Sequence, residues 1–324
     1  MMLRTCARLA VAGTLAIGSG HGASAFDLQG HRGARGLAPE NTLAGFAKAL
    51  EIGVTTIETD LAVTKDGTIV LSHDPVLNPD IVRGPDGGWL STPGPAVYSL
   101  TLAELRRFDV GRIRPSTKYA QRFDRQRPVD GERIPTLNQL FDLANSSGKS
   151  PRFNIETKLS PEKPSETPDP ETFARLVVEA VRAAQLTSRT TIQSFDWRTL
   201  LIARKLAPEI ETVCLTYQPT LRDKIDGDGR RPSPWLAGLD PHAYGGSTPS
   251  LVKAAGCATW SPQFAELSAQ SVAEAHALGL KVVPWTINAQ ADMARIIDMG
   301  VDGLITDYPD RARDVMKAKG MPLP

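Results

Sequence analysis

This 324-residue chain has few cysteines, few aromatic residues and almost no net charge. It has three cysteines, none in a CxxC or Cys/His spacing, which argues against a cysteine nucleophile or a zinc–thiolate site. Lysine plus arginine number 37 and aspartate plus glutamate 36, so we expect no nucleic-acid partner. Beyond the leader, no stretch approaches the roughly 20 apolar residues of a membrane-spanning helix, so we expect no transmembrane segment. The 41% of hydrophobic residues nevertheless suffices for a folded core.

The first 25 residues have the composition of a secretory signal peptide. Arg4 and Arg8 precede a short apolar run at 9–17, and the small residues 23–25 form a cleavage site. The apolar run is too short for a membrane anchor. We therefore predict that this leader is removed and that the protein is exported, either to a periplasm or out of the cell.

Export bears on the two cysteines of the mature chain, Cys214 and Cys257. An oxidising compartment permits a disulfide between them. Each also lies in an apolar, strand-like segment, which is equally typical of two buried thiols. Both interpretations remain open from the sequence.

Short β-rich segments alternate with amphipathic helical segments along the mature chain. The predicted strands are residues 28–31, 55–61, 68–73, 152–158, 190–194, 211–216, 281–286 and 303–306. The predicted helices include residues 42–52, 171–184, 200–206, 271–278 and 293–299. This alternation predicts a parallel sheet, and eight strands predict a closed (β/α)8 TIM barrel forming one domain over residues 26–324.

Two features complicate the count of strands. Residues 258–261 are a possible ninth strand, and only a turn at 65–67 separates the second predicted strand from the third. A doubly wound open sheet is therefore the alternative fold. Residues 77–135, rich in proline, glycine and arginine, are predicted to be an inserted loop or small subdomain after the third strand.

Ionisable side chains are concentrated where the predicted strands end. His31, the pair Glu58 and Asp60, His73, and Glu156 close the first four strands in turn. The carboxyl ends of the strands of a parallel barrel share one face, which carries the active site. The sequence therefore predicts that these residues meet in one pocket.

Three carboxylates in this group indicate a metal site. Glu58 and Asp60 are two residues apart on a strand, so their side chains point to the same side, and Glu156 adds a third carboxylate. Such a set without cysteine favours a hard divalent cation, Mg2+ or Ca2+. The alternative is an ordinary salt-bridge network with Arg32 and Lys158.

The remaining candidates suggest acid–base chemistry on an anionic substrate. His31 and His73 can exchange protons near neutral pH, or each can hydrogen-bond a loop. Arg32 and Lys158 can contact phosphate oxygens, or neutralise the carboxylates. Trp285 is either a wall of the substrate site or a core residue.

Other polar residues are interpreted structurally. Asn41 or Thr42 can cap the first helix. His242 lies in a loop and His276 on a helix, and neither is assigned a function.

The ordered set of motifs resembles the glycerophosphodiester phosphodiesterase family. The motifs are His31-Arg32-Gly33, Pro39-Glu40-Asn41-Thr42, Glu58-x-Asp60, Thr64-Lys65-Asp66-Gly67, His73-Asp74, Asn154-Ile155-Glu156-x-Lys158, Gln193-Ser194-Phe195, Trp285-Thr286 and Thr306-Asp307-Tyr308-Pro309. They run in the family's order over nearly the whole mature chain. The resemblance implies a metal-dependent (β/α)8 barrel.

The resemblance also implies a role for each matching residue. The implied metal ligands are Glu58, Asp60 and Glu156; the implied general acid and base are His31 and His73; the implied substrate-binding residues are Arg32, Lys158 and Trp285. The implied substrate is a small glycerophosphodiester, cleaved to sn-glycerol 3-phosphate and an alcohol. Neither the alcohol nor the oligomeric state follows from the sequence.

Two other functions are compatible with these residues. A related barrel phosphodiesterase of the sphingomyelinase D or phospholipase type would act on intact lipid and would show an exposed apolar rim near Trp89 and Tyr98. A non-catalytic, exported solute-binding protein would bind a small anion without turning it over.

Overall fold

The computed structural model describes residues 25–226 and 229–324. The predicted signal peptide therefore lies outside the described residues, apart from residue 25. The strands are β1 Asp27–Gly30, β2 Thr56–Val63, β3 Ile69–Leu71, β4 Arg152–Thr157, β5 Thr190–Ser194, β6 Glu211–Thr216, β7 Lys224–Asp226, β8 Gly229–Arg231, β9 Thr259–Pro262, β10 Lys281–Val282 and β11 Gly303–Thr306.

Helices follow most of these strands. The α-helices are α1 Leu43–Ile52, α2 Leu102–Leu105, α3 Lys118–Arg122, α4 Leu137–Ser146, α5 Pro170–Ala183, α6 Trp197–Leu206, α7 Gln218–Leu221, α8 Thr248–Ala255, α9 Ala269–Ala277, α10 Gln290–Asp298 and α11 Pro309–Ala318. Short 3-10 helices occupy Val97–Ser99, Thr187–Arg189, Pro234–Leu236, Pro241–Tyr244 and Phe264–Glu266. Within the described ranges, none of these helices combines the length and apolar character that a bilayer crossing requires.

Eight parallel strands form a nearly closed barrel, in the order β10-β9-β6-β5-β4-β2-β1-β11. The two ends of this series approach each other at β10 and β11. The amide of Asp302 donates to the carbonyl of Val282 at 3.0 Å, and the amide of Ile305 donates to the carbonyl of Pro284 at 2.9 Å. The predicted TIM barrel is confirmed.

The set of eight strands differs from the predicted set in one member. Predicted strand 68–73 is the short β3, which pairs antiparallel with β2 and stands outside the barrel order. The possible ninth strand at 258–261 is the barrel strand β9. The turn at 65–67 explains the difference, because two or three residues can join antiparallel strands but cannot cross over between parallel ones.

Local sequence signals set the ends of the helices. The Thr42 side chain caps α1 by accepting a hydrogen bond from the amide of Gly45, as predicted for this position. Gly53 follows α1 with a φ of +92°, a conformation that favours glycine. Asp169 caps α5 in the same way as Thr42, and Pro170 occupies its first turn.

Apolar side chains fill the space between the sheet and its helices. Phe153 of β4 packs edge-on against Phe141 of α4 with ring centroids 5.0 Å apart, and Trp197 of α6 is fully buried. Hydrophobic burial of this kind is the main stabilising contribution to the fold. The strand side chains that face the barrel interior are not part of this apolar packing and can therefore be polar.

The segment between β3 and α4 has a small core of its own. Val70 of β3 packs with Leu77, Val97, Leu105 and other apolar side chains of this segment. The predicted insertion is therefore an ordered layer over the β2–β3 hairpin. It also carries α3, which reaches the carboxyl end of the barrel.

A disulfide joins two neighbouring barrel strands. Cys214 in β6 is bonded to Cys257, which lies just before β9, at a sequence separation of 43. Both side chains are buried. Of the two interpretations that the sequence allowed, the structure contains the disulfide.

Candidate active site

Glu58, Asp60 and Glu156 meet at the carboxyl end of the barrel. Glu58 and Asp60 lie on β2, and Asp60 pairs in register with Glu156 on the adjacent strand β4. Each residue offers one carboxylate oxygen, and these three oxygens all lie within 4.8 Å of one another. The predicted convergence of the three carboxylates is present.

Burial and mutual repulsion perturb these carboxyl groups. Burial, together with the negative charge of Asp60, raises the pKa of Glu58 well above its ordinary value. Burial also raises the pKa of Glu156 to about 7. Burial opposes ionisation of Asp60 too, but the positive charges of Arg32 and Lys158 outweigh it and lower the pKa of that carboxyl.

These residues fit a divalent cation. The Asp60 Oδ1 atom is buried and has no hydrogen-bond partner. Burial raises the pKa of Glu58 and Glu156 despite the basic groups nearby, so a further positive charge beside them would favour their anionic forms. An all-oxygen donor set suits a hard ion, so this acidic triad can bind a metal ion.

His31 is held by an aspartate from the far end of the sequence. Its Nδ1 lies 2.6 Å from Oδ1 of Asp307, which follows β11. Its Nε2 consequently turns towards the carboxylates and lies 4.0 Å from Oε2 of Glu58. Burial and the charge of Arg35 lower the pKa of His31 to about 4, so its imidazole is neutral at pH 7.

His73, which borders the same cavity, has a similar arrangement. It lies just after β3, the second strand of the β2–β3 hairpin, and its Nδ1 is 2.8 Å from Oδ1 of the adjacent Asp74. Burial and the charges of Arg32 and Lys158 lower its pKa to about 4. Each histidine therefore has one ring nitrogen fixed by a carboxylate and the other available to a ligand.

Arg32 and Lys158 contact the carboxylates and also line the pocket. Nη1 of Arg32 donates to Oε1 of Glu40 at 2.7 Å, and its Nε lies 3.3 Å from Oδ2 of Asp60. Nζ of Lys158 donates to Oε1 of Glu156 at 2.8 Å. Neutralisation of the carboxylates, the alternative given for both residues, is therefore present in the structure together with their exposure to the pocket.

Trp285 forms part of the wall of the pocket. Its indole N–H donates to the carbonyl of Ser261 at 3.0 Å, and its ring contacts Phe195 edge-on with centroids 5.4 Å apart. It is partly buried, and it borders the same cavity as both histidines.

The backbone turn after β1 positions two of these groups. Arg32 has a φ of +51° and Gly33 of +88°, and the amide of Arg32 donates to Oε2 of Glu58 at 2.8 Å. A Cβ on Gly33 would lie 2.7 Å from the carbonyl carbon of Gly45 in α1. Glycine at this position therefore permits the close approach of the turn to α1 and the orientation of His31.

Several residues contribute to the site in ways that were not predicted from the sequence. Asp307 also accepts from Nε of Arg35 at 2.7 Å, so Arg35 fixes the partner of His31. Asn41, predicted as a possible helix cap, instead donates to Oδ2 of Asp60 at 2.9 Å. Glu40 accepts a hydrogen bond from the hydroxyl of Tyr119, which belongs to the inserted segment.

Arg122, at the end of α3, brings the inserted segment to the pocket rim. Its guanidinium lies 5.3 Å from the centre of the Phe123 ring. No position in the sequence pattern marked this residue, because only the fold of the insertion brings it to the barrel. The motifs did contain Glu40 and Asp307, the acidic partners of Arg32 and His31.

A chain of buried amides connects the carboxylates to the other end of the barrel. Nε2 of Gln193 donates to Oε1 of Glu58 at 2.8 Å, and Nδ2 of Asn154 donates to Oε1 of both Gln193 and Gln29 at 2.9 Å. Nε2 of Gln29 in turn donates to Oδ2 of Asp27 at 2.7 Å. Two of these contacts, Gln193 with Glu58 and Asn154 with Gln29, join strands that are not neighbours, so the chain runs through the barrel interior.

The active-site cavity has a volume of about 210 Å3. It is bordered by both histidines, two of the three carboxylates and four basic side chains: His31, His73, Glu58, Glu156, Arg32, Arg35, Arg122 and Lys158. The cavity therefore combines cationic groups that suit a phosphate with two imidazoles that can exchange protons. Away from it, His242 and His276 each lie 3.0 Å from a carboxylate oxygen, of Asp223 and Asp302 respectively.

The exposed large apolar side chains of the described residues do not cluster at the rim of this cavity. Among the described residues, the exposed large apolar side chains are Tyr98, Val129, Leu206, Tyr217 and Leu323. Only Tyr217 of these borders a cavity beside the site. Trp89, suggested as part of an apolar rim, is partly buried and lies against the guanidinium of Arg83.

The chain is similar to known proteins over nearly its whole length. The glycerophosphodiester phosphodiesterase of Caldanaerobacter subterraneus subsp. tengcongensis is 29% identical over 294 residues, which are 90% of this chain and 97% of that protein. A crystal structure of a Silicibacter pomeroyi DSS-3 protein, provisionally named glycerophosphoryl diester phosphodiesterase, is 35% identical with a TM-score of 0.81 and coverage of 92% and 95% of the two chains.

A further likeness is one of fold. It is to an Oleispira antarctica phosphodiesterase solved with its product sn-glycerol-3-phosphate, which is 24% identical with a TM-score of 0.64 and coverage of 90% of this chain and 96% of that one. The model of the glycerophosphoryl diester phosphodiesterase family matches residues 31–311, a range that includes every predicted site residue. This chain therefore belongs to the glycerophosphoryl diester phosphodiesterase family of enzymes.

Proposed function

We propose that this enzyme hydrolyses glycerophosphodiesters to sn-glycerol 3-phosphate and an alcohol, with His31 and His73 as the proton-transfer groups. The observation that carries the proposal is that the two histidines, each anchored through Nδ1 by an aspartate, border one cavity with Glu58 and Glu156. Binding of an anion alone would not need two oriented imidazoles.

Basic side chains around the cavity bind the phosphodiester. Arg32 and Lys158, each already paired with a carboxylate, stabilise negative charge on the phosphoryl oxygens as it develops. Arg122 at the rim adds a further cation. Trp285 and Phe195 form an apolar wall beside these groups, against which the carbon chain of glycerol can pack.

Proton transfer is divided between the two histidines. His31, which is neutral because its pKa is lowered, removes a proton from the nucleophile, which is water or the neighbouring hydroxyl of the substrate; in the second case water then opens the cyclic phosphate that forms. The bond between phosphorus and the alcohol oxygen breaks, and His73 donates the proton that this oxygen needs. Arrival of the anionic substrate raises the pKa of His73, because a nearby negative charge favours the imidazolium form.

Glu58, Asp60 and Glu156 would hold the divalent ion, which we propose is Mg2+ or Ca2+. When bound, such an ion supplies Lewis-acid polarisation of a phosphoryl oxygen. The amide of Gln193 and the backbone amide of Arg32 hold the two oxygens of Glu58 in place, and Asn41 holds Asp60. These contacts keep the ligand set ordered before the ion arrives.

The test is release of sn-glycerol 3-phosphate by the purified mature protein. Glycerophosphocholine, glycerophosphoethanolamine and glycerophosphoglycerol are supplied after chelation, and then with each ion added back. Activity should require an added ion and should be lost in the His31→Ala variant, with folding and metal binding retained. His276→Ala, which removes an exposed histidine at the surface, serves as the control and should leave turnover unchanged. Full activity in His31→Ala would overturn the assignment of the base.

Export remains part of the proposal. The leader at residues 1–25 supports it, and the buried disulfide between Cys214 and Cys257 is of the kind found in oxidising compartments. Fractionation of the source cells, with the mature N-terminus determined, would test it. An uncleaved chain in the cytoplasm would contradict it.

A further inference from the structure

We propose that a second, aromatic cavity beside His73 binds the alcohol half of the diester and selects an alcohol that carries a cationic ammonium group. This inference rests on the proposed function and names the substrate class of that site. The cavity has a volume of about 280 Å3. Its walls are formed largely by Phe195, Tyr217 and Trp235, together with the apolar Pro75 and Leu159.

The second cavity adjoins the active-site cavity. His73, Glu156, Lys158 and Phe195 border both cavities. His31 borders only the active-site cavity, of about 210 Å3. An oxygen protonated by His73 can therefore face the aromatic cavity, while the phosphate and the group near His31 remain in the other.

The aromatic walls favour a diffuse positive charge. The faces of Trp, Tyr and Phe rings attract ammonium groups, and quaternary ammonium ligands are often bound by several rings at once. Phe195 and Tyr217 both contact Trp285 edge-on, with ring centroids 5.4 and 6.4 Å away. Trp285 borders the active-site cavity, Tyr217 borders the aromatic cavity and Phe195 borders both, so these contacting rings connect the two cavities.

Glu166 adds a negative charge at the same cavity. Its Oε2 atom is buried and has no hydrogen-bond partner. Its Oε1 atom lies 3.5 Å from Nζ of Lys163, whose side chain is 65% exposed, so this ion pair is open to water and weak. The other basic group, Lys158, is bound to Glu156 at 2.8 Å. A buried, unsatisfied carboxylate oxygen beside aromatic rings favours a cationic ligand over a neutral or anionic one.

The experiment compares two diesters of similar size and different charge. The ratio of kcat/KM for glycerophosphocholine to that for glycerophosphoglycerol is measured for the wild type and for Glu166→Gln. The control, Glu171→Gln, removes an exposed carboxylate in the first turn of α5. We expect the wild type to prefer glycerophosphocholine, and the ratio to fall about fivefold to tenfold in Glu166→Gln. The ratio should be unchanged in Glu171→Gln.

A second pair of variants tests the rings. Trp235→Leu should lower the same ratio, whereas Tyr98→Leu, which changes an exposed aromatic residue outside both cavities, should not. Choline should also inhibit the wild type more strongly than either Glu166→Gln or Trp235→Leu. A loss of activity on both diesters in equal proportion would contradict the assignment, because it would indicate damage to the shared machinery.

Failure of this inference differs from failure of the proposed function. If the wild type cleaves both diesters equally, or prefers an anionic diester such as glycerophosphoserine, hydrolysis stands and selection of a cation is overturned. If it releases sn-glycerol 3-phosphate from none of them, the proposed function fails. Calorimetric titration of choline into the wild type and Glu166→Gln then decides the inference, and equal or undetectable binding to both proteins would refute it.

Discussion

Replacing Asp307 by asparagine tests how the fold controls the proposed base. The carboxylate of Asp307 accepts hydrogen bonds from Nε and Nη2 of Arg35 at 2.7 and 3.1 Å and lies 2.6 Å from Nδ1 of His31. It is fully buried. Asp307→Asn retains the shape of the side chain but removes the negative charge between two basic groups.

The magnitude follows from these contacts. Breaking a buried ion pair leaves an uncompensated charge, here on Arg35, and costs about 3–5 kcal/mol of unfolding free energy. Such a loss lowers Tm by roughly 10 °C for a protein of this size. The charge of Asp307 raises the pKa of His31, so its loss moves that pKa further below the present value of about 4. A less basic, wrongly oriented imidazole should lower kcat by about 100-fold or more.

The assay is glycerol 3-phosphate release at 25 °C, where the variant stays folded, together with thermal unfolding followed by circular dichroism. Asp302→Asn is the matched control, because Asp302 also holds a histidine, His276, at 3.0 Å but lies away from the site and is partly exposed. We expect the control to retain activity and most of its stability. If Asp307→Asn lost stability but kept kcat within twofold, the aspartate would be structural and its proposed role in positioning His31 would be refuted.

Three further predictions concern the metal, the disulfide and the turn. Addition of Mg2+ or Ca2+ should raise Tm in thermal unfolding, and the rise should be larger at pH 8 than at pH 5.5. Protons compete with the ion at carboxyl groups such as Glu156, whose pKa without the ion is about 7. An equal rise of Tm at both pH values would contradict this prediction. Replacing both Cys214 and Cys257 by serine should lower the unfolding free energy by up to about 4 kcal/mol, the value for a loop of 43 residues, as measured by urea unfolding. Gly33→Ala should reduce both activity and Tm, since φ there is +88° and the new Cβ would lie 2.7 Å from Gly45; unchanged kinetics would show that the turn is not rigid.

Alternation along the strands made part of the site predictable. Glu58 and Asp60 share one side of β2 because they are two residues apart, and Glu156 reaches them because β4 is the adjacent strand. His73 was predicted to reach the same place as the end of a barrel strand. It does reach the pocket, but for another reason: the hairpin returns along β2 until the amide of Ser72 donates to the carbonyl of Asp60.

Contacts between segments that are distant in the sequence could not be predicted from the local pattern of residues. Asp307 is 276 residues from His31, and Tyr119 reaches Glu40 only because the insertion packs its own core on the β2–β3 hairpin. Asn41 could equally have capped α1, since an asparagine before a helix satisfies either role. The choice between them depended on the proximity of Asp60, which the three-dimensional structure alone reveals.

The amides inside the barrel have a consequence for how the site is isolated. Asn154 donates to Gln193 on one side and to Gln29 on the other. The chain of hydrogen bonds therefore ends on a carboxylate in both directions, at Glu58 and at Asp27. Each end receives an N–H, a contact that favours the anionic form and so opposes the rise in pKa that burial causes at both acids. Carboxamide groups do not readily exchange protons as imidazoles do, so this chain of amides cannot conduct protons through the barrel. Protons consumed or released during turnover must therefore enter and leave through the mouth of the pocket, where the histidines lie.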